Sequence, residues 1–281
     1  MTDTDTFRQS LMDAGLAHVA SQLIDAVEPC VSIQTEPVAD DTIPVGASKF
    51  GGQPDVPKDF EWPHWNGKAL SFLGQINLAN IARYSCSTVL APAGLLSFFY
   101  DPEQSTWGFD PEDRGSWDVR LAPNGELQRA TFPEGLPDHG RHGSCQLSFS
   151  NSITPPSWQS DIVRALELSE EELDVYIDMI EVEDSGGHHI LGHPQEVQNE
   201  MQLECQLVSN GIYCGSPEGY EDSRVPLLES GAADWRLLLQ LDSDDNARWM
   251  WGDLGRLYFW ITNDSLQSHT FENAWMILQC G

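Results

Sequence analysis

Apolar and polar residues alternate over two short stretches that lie far apart in the chain and match each other. Phe72–Leu78 and Leu237–Ser243 both alternate with a period of two, and each carries a glutamine, Gln75 or Gln240, at its fourth position. A period of two is typical of a β-strand with one face turned to the core. The pattern therefore predicts two equivalent strands.

Further matched segments flank these two strands in the same order. The pairs are Phe50–Pro54 with Ile190–Pro194, Gly94–Phe99 with Gly255–Trp260, and Trp117–Leu121 with Trp275–Gln279. Ordered recurrence of this kind indicates a repeated supersecondary unit. We therefore expect a mainly β (α+β), roll-like fold with internal duplication, with repeats at about 48–121 and 188–279.

Helical periodicity occurs in two places outside these strands. Apolar residues recur at near-helical spacing over 5–27, which predicts a peripheral amphipathic helix there. A second peripheral helix is predicted near 168–183, because Ser169 followed by Glu172 has the spacing of a capping box. Both helices should pack on the outside of the β structure.

The rest of the chain reads as strands and polar loops. Met201–Val208 and Gly211–Cys214 are predicted to be strands from their apolar content. A length of 281 residues is enough to bury a large core. We expect a helical segment at 1–29 followed by a single domain at 30–281.

The chain is strongly acidic, with 44 Asp and Glu against 14 Lys and Arg and a formal net charge of −30. Nucleic acids and anionic membranes should therefore repel it. The segment 165–223 holds fifteen of the acids and no Lys or Arg. Three interpretations stay open for this segment: a solvated acidic face, a docking face for a basic protein partner, or a cation site.

Several features favour a cytoplasmic protein. The chain has no apolar run of the roughly 20 residues that span a bilayer, and Met1–Asp5 lacks the basic start of a signal peptide. Its six cysteines are scattered and form no Cys-x-x-Cys pair. Reduced, mostly buried thiols are the expected state.

One acidic loop is a candidate site for Ca²⁺ or Mg²⁺. Asp242, Asp244 and Asp253 stand at positions that would supply oxygen ligands in a calcium loop. The loop has Ala247 where such loops need a glycine, and an Asp at the position of the usual bidentate Glu. In the alternative interpretation, Asp242 and Asp253 cap turns by accepting hydrogen bonds from backbone amides.

Three histidines and two cysteines form a second candidate group. His188, His189 and His193 precede Cys205 and Cys214, and these residue types could bind zinc or form a Cys–His nucleophile pair. Gly192 and Pro194 disfavour a helix through the histidines, so the spacing of the histidines carries little geometric meaning. Hydrogen-bonded histidines and small buried thiols are the competing interpretation.

The repeated glutamines suggest a binding site between the repeats. Gln75 and Gln240 either tie their strands to neighbouring loops or recognise a ligand, because a buried glutamine must satisfy both its carbonyl and its amide. Asn77 lies on the strand face of Gln75 and would give such a cleft a polar floor. The aromatic residues expected to wall the cleft are Trp107, Phe109, Trp249, Trp251 and Trp260. The candidate binding residues are therefore Gln75, Asn77, Trp107, Gln240 and Trp251.

Taken together, five segments resemble the YwqG-like family, which is domain of unknown function family 1963. These are Ser48–Gly52, Phe72–Leu78, Trp107–Asp110, Leu191–Pro194 with Gln198, and Leu238–Asp244 with Met250–Asp253. The resemblance implies a mainly β, internally duplicated roll found in soluble bacterial proteins. It implies no established reaction and no catalytic residues.

Motifs of the common enzyme classes are absent from the sequence, including the phosphate-binding loop, the nucleophile elbow and His-Glu-x-x-His. The function we expect is a non-enzymatic binding or interaction module, with a basic protein as the candidate partner. The alternative is a divalent-metal-dependent, hydrolase-like enzyme that uses the Asp242–Asp253 loop. A third hypothesis is a small-molecule carrier that uses the cleft between the repeats.

Overall fold

The structure is a computed structural model that describes residues 3–123, 125–183 and 187–281, with the backbone alone for 181–183. Within these residues the strands are β1 (Glu28–Pro37), β2 (Lys49–Phe50), β3 (Asp55–Val56), β4 (His64–Trp65), β5 (Lys68–Ala69), β6 (Ser71–Asn77), β7 (Leu95–Tyr100), β8 (Trp117–Ala122), β9 (Gln128–Arg129), β10 (Cys145–Thr154), β11 (His188–Ile190), β12 (Trp235–Asp242), β13 (Arg256–Thr262) and β14 (Trp275–Gln279). The fold is therefore mainly β, as predicted.

Short helices connect the strands. The α-helices are α1 (Thr4–Asp13), α2 (Ala20–Asp25), α3 (Leu78–Ile81), α4 (Asp161–Arg164), α5 (Glu170–Glu183), α6 (Gln202–Ser209), α7 (Val225–Leu228) and α8 (Asn263–Ser268). Single 3-10 turns lie at Asp40–Thr42, Ser85–Val89, Pro111–Asp113, Asp138–Gly140, Pro217–Glu221, Glu229–Asp234 and Phe271–Asn273. None of the helices in the described ranges is long and apolar enough to cross a membrane.

Ten strands form one antiparallel sheet whose order is symmetric about its centre. The order is β14-β13-β12-β11-β1-β10-β2-β6-β7-β8, with β1 and β10 paired over their full lengths in the middle. Outward from this pair, β2, β6, β7 and β8 on one side match β11, β12, β13 and β14 on the other. The internal duplication predicted from the sequence is confirmed.

Equivalent residues of the two halves touch each other across the core. Phe98 and Phe259 occupy the same position in β7 and β13, and their ring centroids are 5.1 Å apart. Trp117 and Trp275 open β8 and β14, and their rings lie 4.9 Å apart. Residues related by a two-fold axis can touch only near that axis, so the sheet must curl until its two ends meet. The result is a nearly closed roll.

Strands β6 and β12 share an irregularity. The register of β6 against β7 shifts between Phe72 and Gly74, and that of β12 against β13 shifts between Leu237 and Leu239. A β-bulge of one extra residue therefore occurs at the same place in both repeats. Both faces of β6 are buried, although alternation predicted one open face, because the segment that follows β2 covers the face carrying Gln75.

The N-terminal region forms two helices instead of the single helix predicted over 5–27. Gly15 has a φ of +81°, and the amides of Gly15 and Leu16 donate to the carbonyls of Met12 and Leu11. This Schellman motif ends α1 and turns the chain before α2 begins. Both helices bury apolar side chains against α5 and the end of β10.

The predicted helix near 168–183 is confirmed, together with its capping box. The Ser169 amide donates to the Glu172 carboxylate at 2.9 Å, and the Glu172 amide donates to the Ser169 hydroxyl at 3.3 Å. These reciprocal bonds satisfy two amides that a helix N-terminus would otherwise leave open.

The strands predicted at Met201–Val208 and Gly211–Cys214 are wrong. Residues 202–209 form helix α6, and 211–214 is irregular. Met201, Cys205 and Val208 are buried, and their spacing of four and three residues is helical. A short apolar run fits both periods, and packing against the sheet selected the helix.

Candidate functional site

The two repeated glutamines make the same set of hydrogen bonds in both repeats. The Gln75 side-chain carbonyl accepts from the Asp55 amide at 2.8 Å. Its amide donates to the Asp55 carboxylate and to the Ala47 carbonyl, at 2.7 and 2.8 Å. Gln75 therefore ties β6 to the segment that passes over it.

Gln240 repeats this arrangement on β12. Its carbonyl accepts from the Gln195 amide at 2.9 Å, and its amide donates to the Gln195 side chain and the Gly187 carbonyl. Gln195 and Gly187 are eight residues apart, as Asp55 and Ala47 are. Both glutamines are fully buried, and their side chains bond each strand to the loop that crosses it.

Two more side-chain hydrogen bonds recur between the repeats. Lys49 donates to the Gln53 carbonyl, and His189, at the equivalent position, bonds the His193 carbonyl at 3.0 Å. The backbone amide of Asn77 also donates to the Ser48 hydroxyl at 2.9 Å. In the second repeat, Asp242 takes the place of Asn77 and His188 that of Ser48, and the Asp242 backbone amide donates to His188 Nδ1 at 3.0 Å. The duplication therefore extends to side chains that differ in type.

The first repeat adds charge to this framework. Lys49 is fully buried and donates to Asp40 at 2.7 Å, while Arg129 donates to the buried Asp55 at 2.9 Å. Burial lowers the pKa of Lys49, and the hydrogen bond and charge of Asp40 oppose that shift. The second repeat has the uncharged Gln195 in place of Asp55.

His188 and Asp244 form a close pair, but both ring nitrogens are already occupied. His188 Nε2 lies 3.1 Å from the Asp244 carboxylate, and Nδ1 accepts from the Asp242 amide. Burial would raise the pKa of Asp244, but hydrogen bonds from His188 and Thr35 lower it to about 2. With no nitrogen left to face a substrate, His188 holds the loop that begins at Asp242.

The three carboxylates of the predicted metal loop point to different partners. Asp242 lies 3.2 Å from the Arg256 guanidinium, Asp244 is held by His188, and Asp253 is exposed. No group of three or more His, Cys, Asp or Glu side chains suited to a metal occurs in residues 3–123, 125–183 and 187–281. The sequence prediction of Ca²⁺ or Mg²⁺ binding thus gains no geometric support from the side chains described.

The predicted His and Cys group is also dispersed. His193 Nε2 bonds the Ala26 carbonyl at 2.8 Å, while His189 bonds the His193 carbonyl. Cys205 and Cys214 are buried, and burial raises the pKa of both thiols, that of Cys214 to about 12. These thiols are therefore protonated and unreactive at neutral pH.

A pocket of about 210 Å³ lies between the two repeats, and we call it the interface pocket. The first repeat contributes Ser71, Tyr100 and Gln104, and the second contributes the run Arg248–Trp251. Gln104 joins the two sides, because its amide donates to the Met250 carbonyl at 2.9 Å and its carbonyl accepts from the Gly252 amide at 3.0 Å. The pocket exists only because the roll brings the two repeats together.

Several polar groups of the interface pocket have no partner. Ser71 Oγ and Trp249 Nε1 are buried without a hydrogen-bond partner among the described residues. His142 packs edge-on against Trp249 and Trp251, each with ring centroids 5.9 Å from its own, and no described residue bonds its imidazole. Burial lowers the pKa of His142 to about 4, so the ring is neutral at pH 7.

Only some of the predicted binding residues line this pocket. Trp251 does, and so does Trp249 from the aromatic residues expected to wall a cleft. Gln75 and Gln240 are engaged elsewhere, and Asn77 donates to the Gly46 carbonyl while capping α3. Trp107 is 40% exposed, and Trp260 is buried in the core.

Sequence reasoning missed Ser71 and His142. Ser71 precedes the matched strand segment, and His142 lies in an unmatched polar loop. Their approach depends on the closure of the roll, which leaves no local signal. The adjacent Trp249 and Trp251 are the part of the site that the sequence did mark.

The fold and pocket define a class: an internally duplicated antiparallel roll with a polar cavity where its repeats meet. The model of the family described as Domain of unknown function (DUF1963) matches residues 48–280. The chain therefore belongs to this family, in agreement with the resemblance noted from its motifs. No curated protein matches the chain significantly.

Proposed function

We propose that this protein is a non-enzymatic binding module whose ligand occupies the interface pocket. The observation that carries the proposal is the pair of buried, unpartnered polar groups on residues that line the pocket: the Ser71 hydroxyl and the Trp249 indole N–H. Buried polar groups are normally satisfied, and exceptions require a reason. A ligand that bonds these groups would supply one.

The engagement of the reactive side chains supports binding over catalysis. Both nitrogens of His188 have partners, His189 bonds a carbonyl, and burial keeps Cys205 and Cys214 protonated. Nucleophilic or acid–base catalysis needs such groups to face a substrate. Two histidines line the pocket: His142, which burial keeps neutral and which lacks a bonded carboxylate, and His139, which is exposed to solvent and lies 3.5 Å from the Glu103 carboxylate.

A fragment screen with a blocked pocket tests the proposal. His139 is exposed at the pocket, so His139→Trp should obstruct the opening, whereas His139→Ala removes the same imidazole and leaves the opening clear. Compounds from a diverse fragment set that bind the wild type, as detected by ligand-observed NMR, should bind His139→Ala and fail to bind His139→Trp. Hits that bind His139→Trp equally well, or a set with no hits, would overturn the proposal.

A second candidate function is docking of a basic protein on the outer face of α5. Glu170, Glu171, Asp174 and Asp178 are exposed on this helix, while its inner face packs on α1 and α2. No Lys or Arg lies in 165–223 to offset these charges. A basic partner would gain attraction and a faster approach from such a surface.

This second candidate function is tested by comparing two variants that lose the same number of negative charges at different places on the surface. A variant with Glu170→Gln, Glu171→Gln, Asp174→Asn and Asp178→Asn should bind an oligolysine probe more weakly than the wild type, with a shallower salt dependence. The control removes the same charge from other exposed acids, through Glu36→Gln, Asp59→Asn, Glu61→Gln and Glu229→Gln. Equal weakening in both variants would show attraction to net charge alone and reject the α5 face.

A further inference from the structure

We infer that the interface pocket takes a small monocarboxylate with a flat, apolar body. The inference rests on the proposed function and adds the chemical class of the ligand. It follows from three properties of the pocket: the hydrogen-bonding character of its unpartnered groups, the position of one guanidinium, and the size and walls of the cavity.

The first property is a surplus of donors. Trp249 Nε1 can only donate a hydrogen bond, and the Ser71 hydroxyl can also donate. A ligand oxygen that accepts from both would satisfy two buried groups at once. A carboxylate suits this role best, because hydrogen bonds to an ionised acceptor are shorter and stronger than those between neutral groups.

The second property is the charge at the opening. Arg248 is exposed and lines the pocket, and its guanidinium makes no hydrogen bond or ion pair with the described parts of the chain. Its backbone has a φ of +60°, an uncommon conformation for an arginine. A guanidinium presents several donors in one plane, which is the geometry that a carboxylate accepts.

The lining of the pocket also includes a carboxylate, Asp101, whose charge would repel an anion. Its oxygens accept from the Glu103 amide, the Ser105 amide and the Ser105 hydroxyl, at 3.2, 2.9 and 2.6 Å. Asp101 is 3% exposed, so its charge is turned toward its own loop. His142 is neutral at pH 7 and can donate to or accept from the ligand without adding charge.

The third property is size and shape. A cavity of about 210 Å³ is smaller than the roughly 300–1,000 Å³ of pockets for drug-sized molecules. The apolar part of its lining comes from Leu73 and from the rings of Tyr100 and Trp251, which contact each other edge to face with centroids 6.3 Å apart. Aromatic walls favour a flat ring that can pack edge-on or offset against them. A single ring that carries a carboxylate fits both the volume and the chemistry.

The test compares three probes that share one ring and differ in charge: benzoate, benzyl alcohol and benzylamine. Binding is followed through the ¹H–¹⁵N resonance of the Trp249 indole, which the spectrum of Trp249→Phe identifies. We expect benzoate to shift this resonance at the lowest concentration, benzyl alcohol to bind more weakly, and benzylamine to leave it unchanged.

Arg248→Gln provides the decisive variant, because the residue is exposed and its loss should not disturb the core. Benzoate should bind it about tenfold more weakly, as expected for loss of a charge-assisted hydrogen bond. Arg8→Gln on α1, which contributes no residue to the pocket, removes the same charge and should leave benzoate affinity unchanged.

Each remaining outcome overturns the inference in a distinct way. Equal binding of benzoate and benzyl alcohol would reject a carboxylate ligand while leaving the proposed binding function intact. Unchanged benzoate affinity in Arg248→Gln would reject the role of that guanidinium. Failure of all three probes, with fragment hits still lost in His139→Trp, would reject a single-ring carboxylate but not the pocket.

Discussion

At the scale of single residues, the buried Gln75 and Gln240 show the duplication most clearly. Each bonds three polar groups of the loop that crosses its strand. We expect Gln75→Leu and Gln240→Leu to lower the free energy of unfolding by about 3 kcal/mol or more, because each unsatisfied buried group costs about 1–3 kcal/mol. Urea denaturation measures both values.

The two losses should differ in size. Gln75→Leu also removes a donor to the buried Asp55 carboxylate, so it should cost more than Gln240→Leu, which removes a donor to a neutral side chain. Gln128→Leu, at an exposed strand position, serves as the control and should change stability little. A cost for both core variants no greater than that of the control would contradict the assigned role.

Because His189 is buried, we expect the free energy of unfolding to fall in acid. Burial lowers the pKa of His189 to about 4, with the His193 carbonyl opposing and Arg256 adding to the shift. Because the unfolded value is near 6.5, the stabilisation is complete above pH 6.5 and is lost as pH falls toward 4. This histidine should cost about 2 kcal/mol of stability at pH 5 relative to pH 7.

The His189→Gln variant should lose correspondingly less stability between pH 7 and pH 5 in urea titrations, since glutamine does not titrate. His18→Gln, at an exposed position, should retain the full loss. The raised pKa of Glu196 has the opposite effect on stability, but it is common to all three proteins and cancels in the comparison. An identical pH response of His189→Gln and the wild type would rule out His189 as a source.

At the scale of elements, side-chain contacts hold the loop from Asp242 to Asp253. Asp242 faces Arg256, while Asp244 accepts from Thr35 and the Asn246 amide and pairs with His188. We therefore expect excess Ca²⁺ or Mg²⁺ to leave the melting temperature unchanged. A rise in melting temperature that Asp242→Asn abolishes would instead favour the metal-dependent alternative.

The sequence predicted elements well where local signals agree. Strands β6 and β12 carry both alternation and a repeated glutamine, and α5 carries a capping box. The strand prediction at 201–208 was wrong, because the apolar residues there fit both the strand period and the helix period. Only contact with the sheet selects a helix. The prediction of a single helix over 5–27 joined α1 and α2, because it did not anticipate the left-handed turn at Gly15.

At the scale of the whole molecule, the interface pocket is a product of closure. Its lining comes from the first repeat, from the loop before β10 and from the run Arg248–Trp251, which lie far apart in sequence. The duplication could be read from matched segments, but the curl that brings Phe98 onto Phe259 could not. The pair Trp249 and Trp251 was recognisable as aromatic wall, whereas its neighbours Ser71 and His142 carried no pattern.

The protein should bind a ligand where its two repeats meet. The most direct measurement is a crystal structure of the full chain soaked with the fragment that binds most tightly in the screen. We expect ligand density bounded by Trp249, Trp251 and His142, within hydrogen-bonding distance of Trp249 Nε1. An empty interface pocket, with the fragment ordered elsewhere on the molecule, would contradict it.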